Sequence, residues 1–354
     1  MNKNQIITIL FLLHPFYCVF SQKQKYSDEI NTIIEKRRFV RVMFYNCENF
    51  FDTSNDSLKN DEEFLPNGER HWNDSKYYKK QNNLSKVITA VGGWNPPEIV
   101  GLCEIENSFV LDGLTKSSPL YQFEYSLIHK ESPDRRGIDV ALLYKASKFK
   151  PLSTDFIQVR FNNSDSKTRD ILYVMGKLSN SDTLHVFVNH WPSRWGGELE
   201  SEHKRIQVAQ IVKNKVDSIF SKYANAKIII MGDLNDEPSN KSVSKILQAN
   251  TNLDSIFSAK LYNLTATLYP NNEFGTHKYQ GKWGILDHMI VSGNLINDSL
   301  KTHVSLDDIH IFNADFLLEP DESFLGVKPF RTYVGFKYNG GFSDHLPVFL
   351  DLHQ

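Results

Sequence analysis

Along this sequence, carboxylates, amides and histidines recur where a short apolar run stops. In Val42-Met43-Phe44-Tyr45-Asn46-Cys47-Glu48-Asn49, Asn46 and Glu48 share a face if the strand continues. An Asn that only turns the chain is the plainer reading. In Ile99-Val100-Gly101-Leu102-Cys103-Glu104, a carboxylate follows directly on an apolar run, an oxygen donor of the kind that Mg²⁺, Mn²⁺ or Ca²⁺ takes. A strand-end acid paired with a surface lysine fits that segment slightly better when it is read alone. Ile228-Ile229-Ile230-Met231-Gly232-Asp233-Leu234-Asn235 is more specific: Asp233 can accept a proton from water while Asn235 beside it hydrogen-bonds a phosphate oxygen.

Histidines and arginines extend the set. Asn189-His190-Trp191-Pro192-Ser193-Arg194-Trp195-Gly196-Gly197 ends a strand in His190 and follows it with Arg194 and flexible glycines, although a single histidine is often a core residue. In Arg135-Arg136-Gly137-Ile138-Asp139, Arg136 can grip a phosphate by paired hydrogen bonds and Asp139 can orient a histidine; a solvated hairpin turn fits as well. Gly284-Ile285-Leu286-Asp287-His288 and Gly341-Phe342-Ser343-Asp344-His345-Leu346-Pro347-Val348 each carry an Asp-His pair. A buried Asp fixes an imidazole in one tautomer, which pairs Asp287 with His345; singly, each pair also suits an ion pair or a cap. Phe330-Arg331-Thr332-Tyr333 offers Arg331 to a phosphate and rings to a base, against the alternative of a hairpin packed on the core.

Positioning such residues requires strands. Apolar, β-branched runs lie at 40–45, 99–103, 125–128, 140–144, 184–188, 228–231, 289–291 and 348–350. Helical stripes occupy Tyr77 to Val91, with Leu84, Val87, Ile88 and Val91, and Ser201 to Phe220, with Ile206, Ala209, Val212 and Val216. Many strands and few helices fit an α/β sandwich of two face-to-face sheets flanked by helices better than a strict βαβ repeat.

The 40 Lys and Arg against 42 Asp and Glu give a formal charge of -2, so a polyanion must be held locally and not by a global positive field. Arg135, Lys204 and Arg205 join Arg136, Arg194 and Arg331 as candidates for that grip. Residues 1–21, with their apolar run from Ile6 to Phe20, read as a signal peptide, which implies a secreted or periplasmic protein. A membrane anchor is the competing reading, with a run short of the ~20 residues a spanning helix needs, and lipid attachment at Cys18 is a minor one. Residues 22–38 form a linker and 39–354 one domain. Cys47 and Cys103 are buried free thiols or a single disulfide.

Taken together and in order, Asn46, Glu104, Gly232-Asp233-Leu234-Asn235, Asp287 and Ser343-Asp344-His345-Leu346-Pro347-Val348 resemble the endonuclease/exonuclease/phosphatase family from about Arg41 to the C-terminus. The resemblance implies a four-layer α/β sandwich with the site at one edge. It makes Glu104 the main metal ligand, with Asn46, Asp344 and Glu48 nearby and Mg²⁺, Mn²⁺ or Ca²⁺ as the ion. Asp233 would align the attacking water, Asn235 and His190 would hold the phosphate, and His345 with Asp287 would complete the charge stabilisation. The expected activity is a metal-dependent phosphodiesterase cleaving nucleic acid, as a monomer with no protein partner and no stable membrane insertion. A phosphatase or lipid phosphodiesterase on the same scaffold, and a non-catalytic binding protein, stay open.

Overall fold

The computed structural model describes residues 39–93, 95–162, 166–194, 196–268 and 274–354. The expected leader, Cys18, the linker 22–38 and Trp195 lie outside them. Residues 40–354 form one compact unit built on two sheets.

The first sheet has six strands. Its centre is β1 (Phe39–Phe50) parallel to β2 (Ile99–Ile105), flanked by β4 (Asp139–Lys145) and β3 (Tyr125–His129) on one side and by β19 (Val348–His353) and β14 (Ile309–Ile311) on the other. The second sheet has seven, in the order β5 (Phe149–Ile157), β6 (Ile171–Leu178), β7 (Thr183–His190), β8 (Lys227–Asp233), β13 (Asp287–Ser292), β10 (Leu261–Asn263) and β9 (Ala249–Asn250). Within it β7 and β8 run parallel, and β13 runs antiparallel to β8.

Strand alternation sorts each run into layers. Val42 and Phe44, Val186 and Val188, Ile229 and Met231, and Met289 and Val291 fill the space between the sheets. Met43, Tyr45, Val100 and Leu102 face the other way, against Leu84, Val87, Ile88 and Val91 of helix α1 (Asp74–Val91). Phe187, Ile228, Ile230 and Ile290 pack on Val208, Ala209, Val212 and Val216 of helix α2 (Glu198–Lys222). The result is the four-layer α/β sandwich. Both cysteines are buried and free, because Cys47 faces α1 while Cys103 lies between the sheets, so the disulfide reading is overturned.

Both helices begin earlier than their apolar stripes. Asn73 caps α1 by accepting a hydrogen bond from Lys76 N at 3.1 Å, and Gly197 precedes α2. Among the described residues, no helix is long and apolar enough to cross a membrane.

At the rim, β7 and β8 approach so closely that a Cβ on Gly232 would lie 2.4 Å from the Asn189 carbonyl oxygen. Gly232→Ala should therefore destabilise the protein by roughly 1–3 kcal/mol, the usual cost of overpacking, read as a lower urea midpoint at unchanged m-value. An unchanged midpoint would refute the close approach.

Candidate active site

The residues at the rim are the next inward-facing positions of the inter-sheet core. Asn46 follows Val42 and Phe44, His190 follows Val186 and Val188, Asp233 follows Ile229 and Met231, and Asp287 precedes Met289. Register brings His190 and Asp287 to either side of Asp233. Glu104 does not obey this alternation. The β1–β2 and β2–β4 registers shift around it, and it takes a left-handed φ of 58°, as do Glu48 at 48° and Asn49 at 57° on β1. Bulges of this kind re-aim a side chain, and non-glycine residues held there store local strain.

Asp233 is the hub. Its Oδ2 accepts from Asn46 Nδ2 at 3.0 Å and lies 3.8 Å from Nε2 of both His190 and His345. Its Oδ1 accepts from the Asn235 backbone at 2.9 Å. Burial pushes its carboxyl up to about 7, with Asp287 and Glu104 reinforcing the rise and His345 opposing it. His345 Nδ1 donates to Asp287 Oδ2 at 2.7 Å, so the structure joins that pair. Burial disfavours charge on His345, but Asp287 and Asp233 outweigh it and raise its pKa well above the ordinary value. His190 is the opposite case: burial, then Arg169 and Arg136, hold it well below.

Glu104 accepts from Asn49 N at 2.8 Å through Oε2, and its Oε1 stands 3.5 Å from Asn46 Nδ2 and 3.8 Å from His190 Nε2. Asn46 turns its amide nitrogen to these carboxylates while its oxygen accepts from Glu48 N, so it holds Asp233 in place. Glu48 is likewise set behind the site: it accepts from Thr332 N at 2.6 Å and from Arg331 Nε at 3.2 Å. Arg331 Nη2 donates to Asp344 Oδ2 at 3.0 Å, so Arg331 binds the acids expected on the metal and is already engaged there. Burial works against ionising Asp344, but Arg331 and His345 prevail and depress its pKa.

A cleft of about 1430 Å³ opens over Glu104, His190, Asp233, Asn235, Asp344 and His345, with Arg136 and Arg194 in its wall. Arg136 donates to the Asn49 side chain. Arg194 is braced by the Asn235 carbonyl at 2.8 Å and Glu198 at 3.0 Å, and Asn235 in turn donates to the Trp191 carbonyl at 3.1 Å. Asp139 does not reach His190; it contacts His129 at 3.2 Å and accepts from Ser132 N at 2.8 Å, closing its own turn. Arg205 is fully buried on Asp236 at 2.7 Å and offers nothing to a substrate.

Three residues went unnoticed in the sequence. Lys80, fully buried on α1, donates to Thr332 Oγ1 at 2.6 Å and to the Phe342 carbonyl at 2.5 Å, bracing the loop that carries Arg331. Its position on the core side of an amphipathic helix was the available signal. Arg169 lines the cleft, donates to the Trp191 carbonyl at 2.7 Å and belongs to no motif. His277 meets the His345 ring at 4.8 Å between centroids, and burial, then His345, lower its pKa to about 4.

A family model described as "Endonuclease/Exonuclease/phosphatase family" matches residues 41–354. No curated protein matches the sequence. Among solved structures, the fold is similar to the human Nocturnin catalytic domain with bound sulfate (17% identity, TM-score 0.54, 89% of this chain and 94% of that one). It is similar to an endonuclease/exonuclease/phosphatase family protein from Bacteroides thetaiotaomicron (16%, TM-score 0.53, 89% and 94%). It is also similar to D. rerio TDP2 complexed with single strand DNA product (12%, TM-score 0.54, 89% and 99%).

Because Asp287 and Asp233 hold the proton on His345, the His345 imidazolium should persist above pH 7 while His190 and His277 stay neutral. Imidazole NMR titration of the metal-free protein checks this; in Asp287→Asn the His345 titration should move down by a unit or more, roughly 1.4 kcal/mol per unit. A His345 titration at the ordinary value in the wild type would refute the assignment.

Proposed function

The chain belongs to the endonuclease/exonuclease/phosphatase family of phosphate-ester hydrolases, and we infer that it is a divalent-metal-dependent phosphodiesterase that cleaves nucleic acid. The observation that carries this reading is the placement of Asp233 within 3.8 Å of two histidines of opposite charge preference, on the floor of a cleft walled by arginines.

The chemistry follows from those positions. In-line attack on a phosphodiester needs a base for water and donors for charge developing on the non-bridging and leaving oxygens. Asp233, with a pKa near 7, accepts the water proton at its Oδ2. His345, charged and locked by Asp287, donates to the phosphate. His190, kept neutral by burial and two arginines, adds a hydrogen bond without competing for the Asp233 charge. Asn46 fixes the base in place, and Arg136 with Arg169 attracts the anion.

The donor set fits a hard cation. Glu104 and Asp344 both line the cleft with carboxylate oxygens, the ligand type a hard cation takes. Glu104 and Asp344 would hold Mg²⁺ or Mn²⁺, which when bound neutralises charge on the phosphate. The similarity to a TDP2 structure holding single strand DNA product supports nucleic acid over a phosphomonoester or lipid. The apolar leader supports export as the route to that substrate.

Incubation of the protein from Gln22 onward with plasmid DNA, RNA, p-nitrophenyl phosphate and sphingomyelin tests the reading. Cleavage of nucleic acid should require Mg²⁺ or Mn²⁺, stop in EDTA, and fall by at least roughly 10²–10³-fold in Asp233→Ala and His345→Ala. Turnover of only the monoester or the lipid would transfer the site to that substrate, and no turnover with any metal would reduce the chain to a binding protein.

A further inference from the structure

Part of the cleft wall is a two-stranded hairpin, β11 (His277–Tyr279) and β12 (Lys282–Gly284), that the reaction as described leaves without a role. His277, Tyr279, Lys282 and Gly284 share one face, since His277 pairs with Gly284 and Tyr279 with Lys282, and all of them line the cleft, as Trp283 does from the other face. Gly284 puts no side chain opposite His277, which leaves that ring against His345. Tyr279 stands one side-chain repeat further out, about 7 Å along the strand from His277. It is 68% exposed, a large aromatic ring at the rim of the cleft.

The hairpin is held rigidly. At its base, Thr276 accepts Leu346 N through its carbonyl at 2.7 Å and the backbone N–H groups of Leu286 and Asp287 through Oγ1 at 3.0 and 3.1 Å, which ties it to Asp287 and to the residue after His345. On its outer face, Lys278 pairs with Asp321 at 2.9 Å and donates to the Leu325 and Val327 carbonyls. Phe324 packs against the turn at Gly281, where a Cβ would come within 2.7 Å of its ring. The Tyr279 ring is thus carried on a backbone clamped from behind and below.

We propose that Tyr279 stacks on the nucleobase next to the scissile phosphate and that Lys282 contacts the neighbouring phosphate, so that the substrate is an unpaired nucleotide strand. The proposal rests on the nucleic-acid reading of the site. Stacking on an exposed ring requires a base face that is not covered by a neighbour in a duplex. The cleft chemistry favours a nucleotide over an acyl chain, because Arg136, Arg169, Arg194 and Lys282 line it and Leu286 is its one aliphatic side chain among the described residues.

The test compares wild type, Tyr279→Ala and Tyr279→Phe on a single-stranded oligothymidylate, a base-free deoxyribose-phosphate oligomer of equal length, and sphingomyelin vesicles, all with Mn²⁺. Tyr279→Ala should lose roughly ten- to a hundredfold in kcat/KM on oligothymidylate and less than about threefold on the base-free oligomer, with Tyr279→Phe near wild type on both. Equal rates for Tyr279→Ala and wild type on oligothymidylate would overturn the stacking role and leave the nuclease reading intact. An equal loss on both oligomers would overturn it by showing a structural role, and a loss confined to the vesicles would show that the rim meets lipid. Failure of the wild type to cut either oligomer would remove the functional reading itself.

Discussion

Everything at this site turns on one carboxylate buried where the two sheets part. Asp233 is 2% exposed, and charge there is costly unless hydrogen-bond donors and cations surround it. Each neighbouring element supplies one part of the answer. β1 contributes the Asn46 amide, β7 the His190 ring, and the segment before β19 the His345 imidazolium, itself held by Asp287 from β13. The sandwich gathers these groups because parallel strands from the middle of each sheet end at the same rim.

The same constraint extends outward. Glu104, Glu48 and Asp344 add negative charge beside Asp233, and the protein answers with Arg331 on the surface side and Lys80 from below. Burial lowers the Lys80 pKa and Glu48 pulls it back up. Removing either cation leaves acids with fewer partners, so helix α1, far in sequence from the other segments that line the cleft, belongs to the site as its underside.

Much of this was readable from residue order. Wherever an apolar run keeps strict alternation, the polar residue that ends it inherits a known face, which is why Asp233, His190 and Asp287 were placed correctly in the fold. Glu104 was found by its position but not its direction, because a bulge and a left-handed φ redirect it. Asp139 does meet a histidine, but the sequence could not say which: His129 sits across its own hairpin and closes the pair locally. The edge strand β5 escaped notice because its Ser153, Thr154 and Asp155 face solvent and give no apolar alternation. Lys80 could have been read from its place on the apolar face of α1, whereas Arg169 and His277 were invisible for another reason: each acts through contacts between residues remote in the chain, which no local pattern encodes.

The measurement that addresses the role of Asp233 most directly is the stability of Asp233→Asn against wild type, without metal, across pH 4 to 8. An acid whose folded pKa lies above its unfolded one keeps its proton more tightly when folded, so its ionisation costs stability between 3.8 and about 7, and fully above that. The isosteric amide avoids this cost. Asp233→Asn should therefore be as stable as wild type at pH 4, more stable at pH 8, and devoid of phosphodiesterase activity; an Asp233→Asn protein less stable than wild type at pH 8 would show that the buried charge holds the fold together and is not kept there for catalysis.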